Sequence, residues 1–117
     1  MREIKFKFWL VEQKKMTRSY TLDELLYGGW YDIPKHIKLQ FTGLLDKSGK
    51  EICGGDILSD GSETGYVEYM SETAEYIIDF WKEGEKRSKG ESLCGWVDDG
   101  IEIIGNIYEN PELLDNQ

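Results

Sequence analysis

With 117 residues, 39% of them hydrophobic and 13% aromatic, the chain has the size of one domain and enough apolar bulk for a core, which excludes wholesale disorder. No apolar run approaches the ~20 residues that span a bilayer, and the stretch Met1–Phe8 alternates charge and hydrophobe without a signal-peptide core, so a soluble cytoplasmic protein is expected. Twenty-three acids against fourteen bases leave a net charge of −9, which repels phosphate backbones and disfavours non-specific nucleic-acid binding.

In chain order, Ile4, Phe6, Phe8 and Leu10 fall on one face, with Glu3, Lys5, Lys7 and Trp9 on the other. This is the period-2 pattern of a half-buried strand, and it sends Phe6 and Phe8 to the core. Thr21-Leu22-Asp23-Glu24 reads as a capping box, Thr21 accepting from the third helical amide and Glu24 reaching back to the cap. Gly28 and Gly29 stop the helix after about two turns. Leu39–Leu45 reads as a strand that leads through the Asp46-Lys47-Ser48-Gly49 turn into a second strand, Lys50–Cys53. Gly54-Gly55-Asp56 then bends the chain into Ile57-Leu58, and Asp60-Gly61 turns it again before Gly65–Tyr69.

Residues 74–81 fit both helical and strand spacing; their aromatic and β-branched content favours strand. Lys82 to Gly90 reads as a charged loop and Asp98-Asp99-Gly100 as a turn before a strand at Ile101–Ile104. Asn110 then caps a terminal helical turn with Pro111 at its first position. The expected architecture is one mainly β domain over residues 1–117. It is a small, strongly bent sheet or partial barrel of six or seven short strands with two short helices.

Four stretches resemble the YopX-like family of small phage and prophage proteins. They are Arg2–Trp9; Leu39–Leu44 with Asp46–Ile52; Gly55-Asp56-Ile57 with Gly65–Tyr69; and the eleven-residue run Ile104–Leu114, the most specific of them. The sequence departs from the family pattern at Phe8, Leu10, Cys53 and Gly54, and the last two departures count against those positions as a site. The resemblance implies a mainly β fold, a phage or prophage origin and a bacterial cytoplasm, and it supplies no catalytic residues.

Three function classes are open. For an enzyme, Glu51, Asp56 and Glu68 can be assembled into a carboxylate cluster for a metal-dependent hydrolase only if strands converge. No DxD, HxH or EF-hand spacing accompanies them. In the structural alternative, Asp46 bonds its own turn and Asp56 pins the Gly-Gly bend through backbone N–H groups. Cys53 and Cys94 are too few and too far apart for a metal motif or disulfide framework. Cys53 reads as a small buried hydrophobe, and His36, the sole histidine, lacks an orienting acid nearby.

For nucleic acid, the basic N-terminal strand gathers Arg2, Lys5, Lys7, Lys14, Lys15 and Arg18 around Phe6, Phe8 and Trp9 as a stacking platform. Alternation buries Phe6 and Phe8 and weakens that reading. For protein binding, residues 51–79 carry eight acids and no base. Trp30 and Tyr31 sit beside a double glycine, and Trp81 and Trp96 are further aromatic anchors. The expectation is a non-enzymatic accessory protein without cofactor or metal. It binds a host or phage protein or self-associates through sheet edges, with Trp30, Tyr31, Trp81 and Trp96 as its interaction surface.

Overall fold

The alternating N-terminal residues form β1, Lys5–Leu10, in a computed structural model that describes residues 3–28, 33–82, 85–86, 91–97 and 100–115. β2 (Lys15–Met16) and β3 (Tyr20–Thr21) pair along one side of β1, and β4 (His36–Leu45) pairs antiparallel along the other, with Phe8 opposite Lys38. β5 (Glu51–Cys53) completes this first sheet against β4. Between the pairs Phe41–Cys53 and Leu45–Glu51 the register slips, at a bulge where Gly43 takes φ +92°. Thr42 staples the bulge: its hydroxyl donates to the Ile52 carbonyl at 2.8 Å and accepts from the Leu44 N–H at 3.1 Å. A bulge of this kind bends a strand and increases its twist, which curls the sheet.

The second sheet holds β6 (Asp56–Ser59), β7 (Thr64–Met70), β8 (Glu75–Lys82), β9 (Glu85–Lys86), β10 (Glu91–Ser92) and β11 (Glu102–Asn106). Its order is β10-β8-β7-β6-β11, with β9 folded back on β8. Four of these eleven described strands are two-residue rungs, so seven longer strands carry the mainly β fold. Three short helices accompany them: α1 (Leu22–Tyr27), α2 (Leu93–Val97) and α3 (Glu112–Asp115). No helix among the described residues is long and apolar enough to cross a membrane.

Residues 74–81 resolve as strand, since β8 lies against the full length of β7 and buries Ile78 and Phe80 in the core. The expected loop at 82–90 is corrected at Lys82, the last residue of β8, and at Glu85 and Lys86, which pair antiparallel with Lys82 and Trp81; residues 83–84 and 87–90 lie outside the described residues. α2 was not legible as a helix, because Leu93-Cys94-Gly95-Trp96-Val97 carries neither an acidic first turn nor a basic last one. Gly29 and the Asp98-Asp99 part of the expected turn lie outside the described residues.

The capping box of α1 forms in both directions: the Glu24 N–H donates to Thr21 Oγ1 at 3.2 Å, and the Thr21 N–H donates to Glu24 Oε1 at 3.0 Å. Asn110 sits where the terminal helical turn begins: its side chain accepts from the Asn106 N–H at 3.2 Å, and its carbonyl accepts from the Leu113 N–H at 3.1 Å.

The core lies between the curled first sheet and the second. Ile52, Leu58, Val67, Ile78, Phe80, Leu93 and Ile101 are buried together there. Each such side chain contributes about 1.5–3 kcal/mol when fully withdrawn from water. Gly65, the second residue of β7, permits a close approach to β8, because a Cβ there would stand 2.7 Å from the Asp79 carbonyl oxygen. Gly65→Ala is therefore expected to push β7 and β8 apart and cost about 1–3 kcal/mol in urea unfolding. Gly95→Ala, where a Cβ meets nothing within 4 Å, serves as the neutral comparison.

Candidate functional site: a tyrosine-lined groove at the sheet corner

The Gly54-Gly55 bend carries the chain from the first sheet to the second, and Asp56 holds it. Asp56 Oδ2 accepts from the Cys53 N–H at 2.8 Å, the role expected from the sequence. Gly54 donates its N–H to the Gln40 carbonyl and Gly55 to the Val67 carbonyl, so the corner clips β4 to β7. Gly55 takes φ +88°, and a Cβ there would lie 3.0 Å from the Tyr108 ring. Glycine is required on both counts.

Tyr108 is set by a turn that the two asparagines build. Asn106 Oδ1 accepts from the N–H groups of Tyr108 and Glu109 at 3.0 and 2.8 Å, and Asn106 Nδ2 donates to Glu109 Oε1 at 2.9 Å. The Ile107 N–H donates to the Gly55 carbonyl and locks this turn to the corner. On its other side Tyr108 stacks on Trp9, with ring centroids 5.7 Å apart.

Past the corner, β6 no longer accompanies β7. The space left between β7, β4 and the Tyr108 turn is a cleft of about 590 Å³, with Tyr66, Tyr69, Tyr76 and Tyr108 in its walls. That volume falls within the range of ligand pockets, about 300–1,000 Å³. A second cleft of about 300 Å³ continues beyond the Tyr69 and Tyr76 rings, which both clefts share. These two tyrosines face each other across β7 and β8, edge to face at 5.1 Å, and Tyr69 is 53% exposed. Burial, with the nearby Glu68 and Asp79 carboxylates, pushes the Tyr66 phenol up to about 12, so it stays protonated. Tyr108 is raised by burial as well.

Backbone geometry adds a handle. Val67 turns its carbonyl away from β8 toward Gly55, and strand alternation turns the Tyr69 N–H and C=O to that same side, beyond the end of β6. An extended segment lying in the groove meets a donor and an acceptor there.

The expected sites fare unevenly. Trp30 and Tyr31 lie outside the described residues. Trp81 is placed by its backbone in β8 and Trp96 in α2, but their side chains lie outside the description. Next to that first pair, Tyr27 is 89% exposed.

The carboxylates proposed for a metal do not converge. Asp56 is 2% exposed and faces Lys7 Nζ at 3.4 Å as well as the Cys53 amide, while Glu51 is held by Lys5. Among the described residues no three His, Cys, Asp or Glu side chains are gathered as metal donors. Burial, opposed by Lys7 and the Cys53 N–H, leaves the Asp56 carboxyl above its ordinary value. Cys53 is buried as expected, and burial pushes its thiol up to about 11, a poor nucleophile. His36 Nδ1 lies 2.9 Å from the Pro34 carbonyl oxygen, and its ring meets Phe8 edge-on.

The basic N-terminal strand is engaged internally. Lys5 pairs with Glu51, Lys7 with Asp56, and Arg18 with Glu24 at 3.0 Å, while Trp9 is occupied by Tyr108. The face of β1 expected to meet solvent is thus covered. Of the two aromatics expected in the core, Phe8 is fully buried and Phe6 only partly.

Residues 7–115 match the family described as YopX protein. Among solved structures, the chain is similar to the crystal structure of protein EF1440 from Enterococcus faecalis. The identity is 22% and the TM-score 0.64, covering 97% of this chain and 99% of that one. At that identity the likeness carries the fold. Among curated proteins nothing matches the chain.

Proposed function

Since the chain belongs to the YopX family, we propose that it is a non-enzymatic, phage- or prophage-encoded accessory protein of the bacterial cytoplasm that binds a segment of a partner protein in the tyrosine-lined groove. The observation that carries this reading is the gathering of four tyrosines from three separate stretches of chain around one open groove. Tyrosine offers large, rigid contact area at low entropic cost and recurs among the residues that dominate binding energy. The Tyr69 N–H and C=O, turned toward the groove beyond the end of β6, add the strand-like hydrogen bonding that extended segments use. The charge map agrees, since an acidic surface suits a basic protein partner and opposes nucleic acid.

The test is retention of a partner from host bacterial lysate on the tagged protein, compared with the double variant Tyr69→Ser, Tyr76→Ser. Washes run from about 0.1 M to 1 M salt, over which the Debye length falls from about 10 Å to 3 Å. One defined protein is expected to survive the wash on the parent and fall to about a tenth or less on the variant. Equal retention by both, or turnover of a substrate by the purified protein, overturns the reading.

A further inference from the structure

We propose that the segment held in the groove is cationic: an extended stretch of partner protein whose arginine guanidinium lies flat against the Tyr66 ring beside Glu68. The inference rests on the groove-binding reading above and names the chemistry of its occupant.

Three observations carry it. The first is the company the tyrosines keep: Glu68 lines the larger cleft together with all four of them, and Glu75 lines the second beside Tyr69 and Tyr76. Ring faces attract cations through their quadrupole, and neighbouring carboxylates add to that attraction. The second is the fate of the one lysine in the larger cleft. The Lys38 ammonium sits 5.3 Å over the Phe6 ring, so a cation on an aromatic face is already present at this cleft.

The third is that the molecule builds the proposed arrangement once within itself. The Arg18 guanidinium lies 3.9 Å from the centre of the Tyr20 ring, and its nitrogen meets Glu24 at 3.0 Å. Tyr66 with Glu68 offers a partner the same pair of groups, a ring and a carboxylate two residues apart on one face of β7. Arginine fits better than lysine, because a planar guanidinium stacks on a ring while its edge N–H groups reach a carboxylate. The net charge of −9 steers such a segment inward and turns an acidic one away.

The experiment is an amide-resolved NMR titration of the full chain. One probe is a capped five-residue peptide with a central arginine among glycine and serine; the other is the same peptide with citrulline, which keeps the shape and removes the charge. Saturable shifts are expected at Gly55, Glu68, Tyr69 and Tyr108 with the arginine peptide, and binding about tenfold weaker with citrulline.

Glu68→Gln is expected to weaken the arginine peptide by about fivefold. Glu63→Gln makes the same charge change beyond the far end of β7 and should stay within about twofold. Shifts spread over the whole acidic surface and equally sensitive to Glu63→Gln overturn the proposal, as does a titration in which neither peptide moves the groove. Equal binding of the two peptides in the groove overturns the cationic occupant but leaves groove binding standing. The Tyr69, Tyr76 retention experiment decides the latter separately.

Discussion

Replacing Asp46 by alanine is expected to lower the unfolding free energy by about 3 kcal/mol or more, because it strands three backbone donors at once. Asp46 Oδ1 accepts from the N–H groups of Ser48 and Lys50 at 2.8 and 2.9 Å, closing the β4–β5 turn. Oδ2 accepts from the Ile103 N–H at 3.0 Å, far along the chain in β11. The adjacent Lys47 N–H donates to the Ile101 carbonyl just before β11, so Asp46 and Lys47 together join the first sheet's turn to the second sheet's last strand.

Burial raises the Asp46 carboxyl, but the N–H donors of Ile103, Lys50 and Ser48 outweigh it and hold the group below its ordinary 3.8. A lowered carboxyl contributes stability above its unfolded value, and that contribution is lost as pH falls through the folded one. The gap in melting temperature between the parent and Asp46→Asn should therefore be widest near neutrality and close as pH drops below about 3.8. A gap that is independent of pH would show that the carboxylate charge is not what holds this turn.

Lys7→Met is the second large effect, expected to cost about 3–5 kcal/mol at neutral pH, the range for removing one partner of a buried ion pair. Asp56 stays buried, with one N–H donor and no cation beside it among the groups described above. Its carboxyl, already raised by burial, rises further when Lys7 goes. The sign is opposite to that of Asp46. A group whose folded value lies above its unfolded one favours the fold below the unfolded value, and that advantage is lost as pH rises through the folded value. Lys7→Met should thus approach the parent in urea midpoint on acidification and diverge from it toward neutrality. The double variant Lys7→Met, Asp56→Asn should recover part of the loss at neutral pH; failure to recover any would mean that packing of the lysine stem, not charge, is what Lys7 supplies.

What could be read from the sequence divides along the range of the interaction. Thr21 with Glu24, Asp46 with its own turn and Asp56 with the glycine bend are bonds within a few residues, and each forms as its spacing dictates. The mainly β class and the β8 strand follow from period-2 alternation and β-branched content. Alternation misleads at β1, because it names two faces without saying that both are covered. Lys5, Lys7 and Trp9 look solvent-bound until β5, β6 and Tyr108 close over them.

The groove was hidden for a similar reason. Tyr66, Tyr69 and Tyr76 are ordinary strand residues in sequence, and Tyr108 belongs to a turn. Only the Gly54-Gly55 corner brings β4 and the 106–110 turn alongside β7. The residue that defines this geometry is a positive-φ glycine, visible in sequence as a bend but silent on what the bend brings together.

The pairing of β6 with β11 also bears on how the protein is made. A chain emerging from the ribosome presents Asp56–Ser59 long before Glu102–Asn106 exists to cover it. Until then one side of β6 is an unpaired edge, and Asp46 lacks its Ile103 donor. Synthesis at about 5–20 residues per second leaves that edge uncovered for seconds, so the fold is expected to complete only after translation has passed Asn106. The nascent chain, more than the finished protein, is the form that presents this unpaired edge.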